Sequence, residues 1–328
     1  LNKRPGYLLQ KELKDTWVSL SDLGRSLLVT LEDVQTEQRL TSEMITSGEW
    51  REVKLAALDV EAPAPVIFAG RSHPLVDIID EIKEIFVGLG FDEIDGPMAQ
   101  SGFWNFDALF IPQDHPAREM QDTFYISGHK HDIPASEELK RRVAQVHKKG
   151  WNSSWDESEA RRVVLRTHTT PVTLRYLAAS RHESARYFSV GRVFRNEKPS
   201  YKHLLEFHQV EGVATAKGLS LRDLMGLQKE FYAKMGIKKV KFWPTFFPYT
   251  EPSLQSMVYN ERLQKWVELF GMGIFRPQVT RPIGIKNPVL AWGGGIERIA
   301  MLRFAIDDLR DLYSNRLSWL RSVPRCQL

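Results

Sequence analysis

"GRVFRNEKPSYKHLLEFHQVEG", Gly191 to Gly212, is the stretch on which the reading of this chain turns. Its two ends are rich in β-forming residues and its middle is polar, the composition of two strands joined as a hairpin. Every second side chain of a strand shares a face, so Arg195 and Glu197 are expected to point one way on the first arm, with Phe207, Gln209 and Glu211 on the same side of the second. That face is polar where a plain sheet surface would be apolar. A guanidinium beside two carboxylates, an amide and an aromatic ring can hold a nucleotide, with the ring stacked on the base and the guanidinium gripping phosphate two-pronged. A solvated hairpin that merely balances its charges would look the same, since exposed ion pairs worth about 0–1 kcal/mol are common.

A second stretch bears on the choice. "AWGGGIERIAMLRF", Ala291 to Phe304, runs three glycines into a helical pattern whose first turn carries Glu297 and Arg298. Glycines let backbone approach a ligand closely, and a helix N-terminus favours anions. Alone this is equally a tight turn; beside Arg195 it offers a second cation for the far end of a triphosphate.

Outward from these segments, Tyr187–Glu197, Leu205–Ala214, Lys239–Pro244, Ser256–Asn260 and Lys265–Phe270 alternate in polarity and read as strands. Leu75, Ile78, Ile79, Ile82, Ile85, Phe86 and Leu89 recur at helical spacing, with Pro74 in the first turn and Gly88 and Gly90 as stops, and a short strand is expected to end near Pro97. Further helices are expected over 137–149, capped by Ser136, and over 221–235, opened by the capping box Ser220 to Asp223. Helices around a mainly antiparallel sheet make an α+β domain. Pro63 and Pro65 in "VEAPAPV" favour an extended linker, which puts a boundary between a helical module over 1–62 and a main domain over 63–328.

Composition sets the outer limits. The 45 Lys and Arg against 41 Asp and Glu permit a polyanionic partner without requiring one. Cys326 is the sole cysteine, so no intrachain disulfide or cysteine-based metal site is possible, and a reducing cytoplasmic setting fits. No window holds the roughly 18 apolar residues of a membrane span, and no membrane association is expected.

With the helix–strand–Pro97 unit, the two opening segments resemble the three motifs of class II aminoacyl-tRNA synthetases in their usual order. The chain is similar to the α subunits of phenylalanyl-tRNA synthetases of the archaeal and eukaryotic cytosolic type. "FWNFDALFIPQDHPAREMQDTFYI" (103–126), "LRTHTTP" (165–171), "FRNEKPSYKHLLEFHQVEG" (194–212), "FFPYTEPS" (246–253) and "GIFRPQ" (273–278) carry the resemblance, which spans about 70–328. Residues 1–60 resemble, more weakly, the last part of the family's N-terminal nucleic-acid-binding modules, a helical or winged-helix remnant. Because family members extend upstream and this chain opens on Leu1, a truncated form is expected.

The resemblance implies ATP-dependent activation of L-phenylalanine and transfer to tRNA(Phe). It carries Arg195 to the α-phosphate and substrate carboxylate, Glu197 to the adenine amino group, Phe207 to a stack on adenine, and His203 and Arg298 to the β- and γ-phosphates. His168, Thr170, Gln209 and Glu211 would face the substrate ammonium. Phe247, Tyr249 and Phe275 would surround its ring, with small Ala291 at the far end. Without the resemblance, Phe247 and Phe275 read first as core aromatics, and Thr170 before Pro171 as a helix cap. Glu251, and second Glu268, are the implied Mg²⁺ ligands. An apolar pocket rejects an added hydroxyl by only about 10², so tyrosine would leak in; the family edits on a β subunit, which implies a β partner in an α2β2 assembly with the 74–88 helix at a subunit interface.

Other signals read blandly. "GHKHD" at 128–132 reads as solvated turn histidines rather than a metal site. The basic clusters at 140–142, 148–149, 161–162 and 238–241 fit tRNA phosphate contacts and ordinary surface alike. Arg118 and Asp122 belong to the resemblance without a physical role. A catalytically silent paralogue should have lost Arg195, Arg298 or Glu211, and all three are present. A winged-helix nucleic-acid binder leaves the downstream constellation unexplained, and the aromatic "FFPYTEP" argues against a class II ligase for a polar amino acid.

Overall fold

The computed structural model describes residues 17–28, 36–37, 39–57, 70–119, 122–130, 132–180 and 182–323. The chain divides into two compact units, Leu1–Ala69 and Gly70–Leu328. The expected boundary after residue 62, with Pro63 and Pro65, lies outside the described residues. In the first unit the described residues include helix α1 (Asp22–Leu28), helix α2 (Ser42–Ser47) and a bridge from Glu37 to Leu55. Thr41 Oγ1 caps α2 by accepting from the Met44 amide at 3.3 Å, and Gly48 ends it at φ 84°, a left-handed turn that suits glycine.

The second unit opens with α3 (Pro74–Gly88), whose apolar stripe sends Leu75, Ile78, Ile82 and Phe86 into the core. There follow β1 (Asp92–Glu93), β2 (Ala99–Ser101), α4 (Gly102–Asn105), β3 (Tyr125–Lys130), α5 (Glu137–Trp151), α6 (Glu157–Ala160), β4 (Arg162–Leu165) and α7 (Thr170–Ser180). The hairpin β5 (Ala185–Phe194) and β6 (Glu206–Thr215) leads through α8 (Leu221–Lys234) to β7 (Val240–Phe247), β8 (Thr250–Asn260) and β9 (Lys265–Phe275). Last come α9 (Pro277–Thr280), β10 (Val289–Gly295), α10 (Ile296–Phe304) and α11 (Leu317–Ser322). Ser136 caps α5 through its hydroxyl, and Asp223 accepts from the Ser220 amide at 2.8 Å, so both expected helix starts are present. The strand expected near Pro97 ends sooner, at Glu93, and Pro97 lies between β1 and β2.

Seven strands form one sheet in the order β1-β5-β6-β10-β9-β8-β7, antiparallel except where β1 runs parallel to β5; β2, β4 and β3 form a small second sheet. One face of the large sheet packs against α3, α8 and α10. There Phe86 stacks on Phe231 at 4.9 Å and on Trp292 at 5.8 Å between ring centroids, and each such fully buried side chain contributes roughly 1.5–3 kcal/mol. The other face packs Val213, Phe275, Val289 and Ala291 against a cluster built on Phe103, Phe106 and Phe110. That second layer stops short. Farther along the same strands the outward positions are Phe207, Gln209, Gly271, Gly293 and Gly295, and the face lies open.

Candidate active-site cleft

The open face holds a cleft of about 310 Å³ lined by Arg195, Glu197, His203, Phe207, Gln209, Glu211 and Arg298, by His168 and Thr170, and by Phe247, Tyr249, Phe275 and Ala291. Thirteen of the fifteen residues singled out from the sequence therefore share one cavity. Glu251 and Glu268 do not line it.

Strand register creates the space. On β6, Gln209 sits between Gly191 of β5 and Gly295 of β10, and Glu211 between Ser189 and Gly293. A side chain at 293 would meet Gln209 Nε2 at 2.9 Å, whereas one at 294, on the opposite face, would strike the Phe270 ring at 2.1 Å. The glycine run is thus a strand, not the turn its composition also allowed: Gly294 makes room for the core and its neighbours make room for the cleft.

The hairpin departs from expectation at one point. β5 ends at Phe194, so Arg195 and Glu197 lie just past it and strand alternation does not orient them. Arg195 still closes the ladder, its amide donating to Leu205 O at 2.9 Å. Its Nε donates to Thr167 O at 3.3 Å, and its guanidinium lies 5.4 Å from the Phe207 ring centroid. At the rim Glu197 stands 3.8 Å from Arg195, a loose ion pair, and 3.9 Å from the His203 ring. On the far side, Arg298 donates to Glu268 O at 3.4 Å.

Deeper in, Glu211 is 3% exposed. Thr173 Oγ1 donates to it at 2.9 Å, Thr169 Oγ1 and Gln209 Nε2 do so at 3.4 Å, and the Thr170 hydroxyl donates to its Oε2 as well. Burial pushes its carboxyl up to about 7, although the threonine hydroxyls pull the other way. Thr170 is the first residue of α7 and turns its hydroxyl to Glu211 instead of capping the helix. Burial, and then the Arg195 charge, depress the His168 imidazole to about 3, so it is neutral at any ordinary pH.

The remaining wall is aromatic. Phe247 stacks on Tyr249 at 5.8 Å and 15°, and Tyr249 meets Phe275 edge-on at 6.4 Å and 75°. Phe275 lines the cleft and also belongs to the core, the second of these being one of its readings from sequence. Ala291 pairs with Val213 and Gly273 at the closed end, where its small side chain leaves the wall unfilled.

Some participants escaped the sequence reading. Thr169 and Thr173 complete the nest around Glu211; the threonine-rich "THTTPVT" with its i, i+3 hydroxyls was the available signal. Glu297, 2% exposed, accepts at Oε1 from the His208 amide at 2.6 Å, from His208 Nδ1 at 3.0 Å and from Tyr313 OH at 2.5 Å. This clamps the first turn of α10, and with it Arg298, to β6. Nothing local pointed to Tyr313. Arg118 proves structural: it pairs with buried Asp107 at 3.3 Å and lies over the Phe106 ring, while Asp122 O accepts from the Asn196 amide at 3.1 Å and so steadies the hairpin connection. "GHKHD" begins inside β3 rather than in a loop, and His131 lies outside the described residues. Lys140, Arg161 and Arg162 are occupied by Glu137, Glu157, Asp132 and Glu159.

No group of three or more His, Cys, Asp or Glu gathers as a metal cage among the described residues. Mg²⁺ bound with phosphates needs only one or two carboxylates. Glu251 and Glu268 are both exposed and lie off the cleft lining, and Arg298 meets Glu268 at its backbone carbonyl rather than its carboxylate. No helix among the described residues is long and apolar enough to cross a membrane.

Comparison with known proteins bears on the family and the fold. Residues 57–323 match the family model for the class II core domain (F) of tRNA synthetases. The phenylalanine–tRNA ligase alpha subunit of Methanocaldococcus jannaschii is 45% identical over 312 residues, covering 93% of this chain and 64% of that protein. That of Methanoculleus marisnigri is 46% identical over 324 residues, covering 97% and 67%. The chain thus spans about two thirds of the length of the curated relatives it matches. Pyrrolysyl-tRNA synthetase from Desulfitobacterium hafniense superposes over 76% of each chain with a TM-score of 0.55 at 17% identity, a likeness of fold. The chain belongs to the class II tRNA synthetase core family, in the branch of the phenylalanine–tRNA ligase alpha subunits.

Proposed function

We propose that the cleft activates L-phenylalanine with ATP and passes the acyl group to tRNA(Phe). The phenylalanine carboxylate attacks the α-phosphorus, the bond to the bridging oxygen breaks, and pyrophosphate leaves. The terminal ribose hydroxyl of the tRNA then attacks the acyl carbon and AMP departs. A carboxylate is already a nucleophile at neutral pH, so the first step asks mainly for positioning and charge neutralisation.

The observation that carries this reading is the pairing of Arg195 and Arg298 on one glycine-floored cleft whose deep end is aromatic and acidic. In it Arg195 takes the α-phosphate and substrate carboxylate, Phe207 stacks on adenine, Glu197 meets the adenine amino group, and His203 and Arg298 hold the outer phosphates. Glu211 and Gln209, with neutral His168 and Thr170, receive the ammonium. Phe247, Tyr249 and Phe275 enclose the ring. By the resemblance Glu251, and second Glu268, would hold Mg²⁺, which when bound would supply charge neutralisation on the pyrophosphate. The relatives' designation as alpha subunits supports a β partner; the α2β2 assembly rests on the family resemblance alone, and the cytoplasmic setting on the lone cysteine.

Amino-acid-dependent exchange of labelled pyrophosphate into ATP, run with each of the twenty amino acids and with the β chain co-expressed, tests the reading. Stimulation by phenylalanine alone is expected. Stimulation by a different amino acid overturns the specificity, and no exchange at all favours a silent paralogue.

A further inference from the structure

The sheet face that forms the cleft continues past it along β7, β8 and β9. Trp243 pairs with Gln255, which lines the cleft; next along, Lys241 pairs with Met257, and Tyr259 pairs with Trp266. Leu254, Ser256 and Val258 on the opposite face of β8 are buried, whereas Gln255, Met257 and Tyr259 are only partly covered. Trp243 is 60% exposed and Trp266 36%. Between the two indoles stands Lys241, its Nζ 4.2 Å from the Trp266 ring centroid and 5.7 Å from that of Trp243. Lys239 lies 5.0 Å over Tyr259, which meets Trp266 edge-on at 5.4 Å. Lys239 is also paired with Glu261 at 2.7 Å, but Lys241 makes no ion pair among the described residues.

We propose that Trp243, Lys241, Trp266 and Tyr259 form a platform for single-stranded RNA approaching the cleft, which under the function proposed above is the 3′ end of the tRNA. Three features select this occupant. Exposed rings offer stacking surface to any base, and a lysine set among them meets the phosphates between successive bases. A protein partner is disfavoured because lysine is depleted from the buried centre of protein interfaces. The platform also shares its sheet face with the cleft, so a strand lying along it is aimed at the reacting centre.

The test uses the full-length α chain with its β partner and the variants W243A/W266A and K241A. Pyrophosphate exchange needs no RNA and should stay within twofold of the parent, which also shows that the variants fold. Aminoacylation should show KM for tRNA raised about tenfold or more in W243A/W266A, and K241A should lower the slope of log KM against log salt by roughly 1. An unchanged KM for tRNA overturns the platform, as does loss of the β chain on purification with RNA affinity intact, which would make the patch a protein interface. If the parent protein exchanges no pyrophosphate, the proposed function fails but the platform is still decided. A short single-stranded RNA should quench indole fluorescence in the parent and not in W243A/W266A, and equal quenching in both sinks the proposal.

Discussion

Burial raises the Glu211 carboxyl from its ordinary 4.5 to about 7, so the free protein carries it protonated below neutrality and anionic above. An ammonium ligand needs the anion. The apparent KM for phenylalanine in the exchange reaction should therefore fall about tenfold per pH unit on approaching pH 7 from below and flatten above it. Glu211→Gln should raise that KM and abolish the slope. The same shift acts on stability with a defined sign: a group held above its unfolded pKa contributes fully below about pH 4.5 and loses the contribution as pH rises through 7. Glu211→Gln should accordingly gain on the parent by up to roughly 3 kcal/mol between pH 5 and 8, read by urea denaturation at several pH values. Tyr313 is a second residue-scale case, since its hydroxyl is one of three donors on Glu297 Oε1. Tyr313→Phe should lower kcat/KM for ATP about tenfold while leaving KM for phenylalanine within twofold, and on an Arg298→Ala background it should cost little more, because the two act through one interaction.

At the scale of the element, β10 separates two duties that the three glycines concealed. A Cβ at Gly294 meets Phe270 Cδ1 at 2.1 Å and Leu269 O at 2.6 Å, whereas one at Gly295 finds nothing nearer than Phe207 at 3.8 Å. Gly294→Ala should therefore destabilise by about 1–3 kcal/mol through overpacking, seen as a lower Tm. Gly295→Ala should fold normally, and its methyl projects beside Phe207, so a raised KM for ATP is the expected loss. The helices were legible because their signals are local: Pro74, Ser136 and the Ser220–Asp223 pair lie within a turn of the starts they mark. The hairpin was legible as two strands but not at its tip, where turn hydrogen bonds between Ser200 and His203 rather than alternation set the course of the connection.

At the scale of the whole molecule, the unit Gly70–Leu328 contains every residue that lines the cleft. A chain shortened to 63–328, the boundary inferred from Pro63 and Pro65, should unfold cooperatively within a few degrees of the parent Tm, since the whole compact unit Gly70–Leu328 is retained. A fall of more than ten degrees in scanning calorimetry would show that the first unit supports the second. The sequence by itself determined the class of fold and the helix starts, because periodicity and caps are properties of neighbouring residues, and through the family resemblance of its motif blocks it singled out thirteen residues that line the cleft. Only the tertiary structure decided that Thr169, Thr170 and Thr173 surround Glu211, that Tyr313 steadies Arg298 through Glu297, and that Glu251 and Glu268 stay off the cleft wall. Those contacts join residues from 16 to 42 positions apart, and their register comes from packing two layers against one sheet, which no local pattern records.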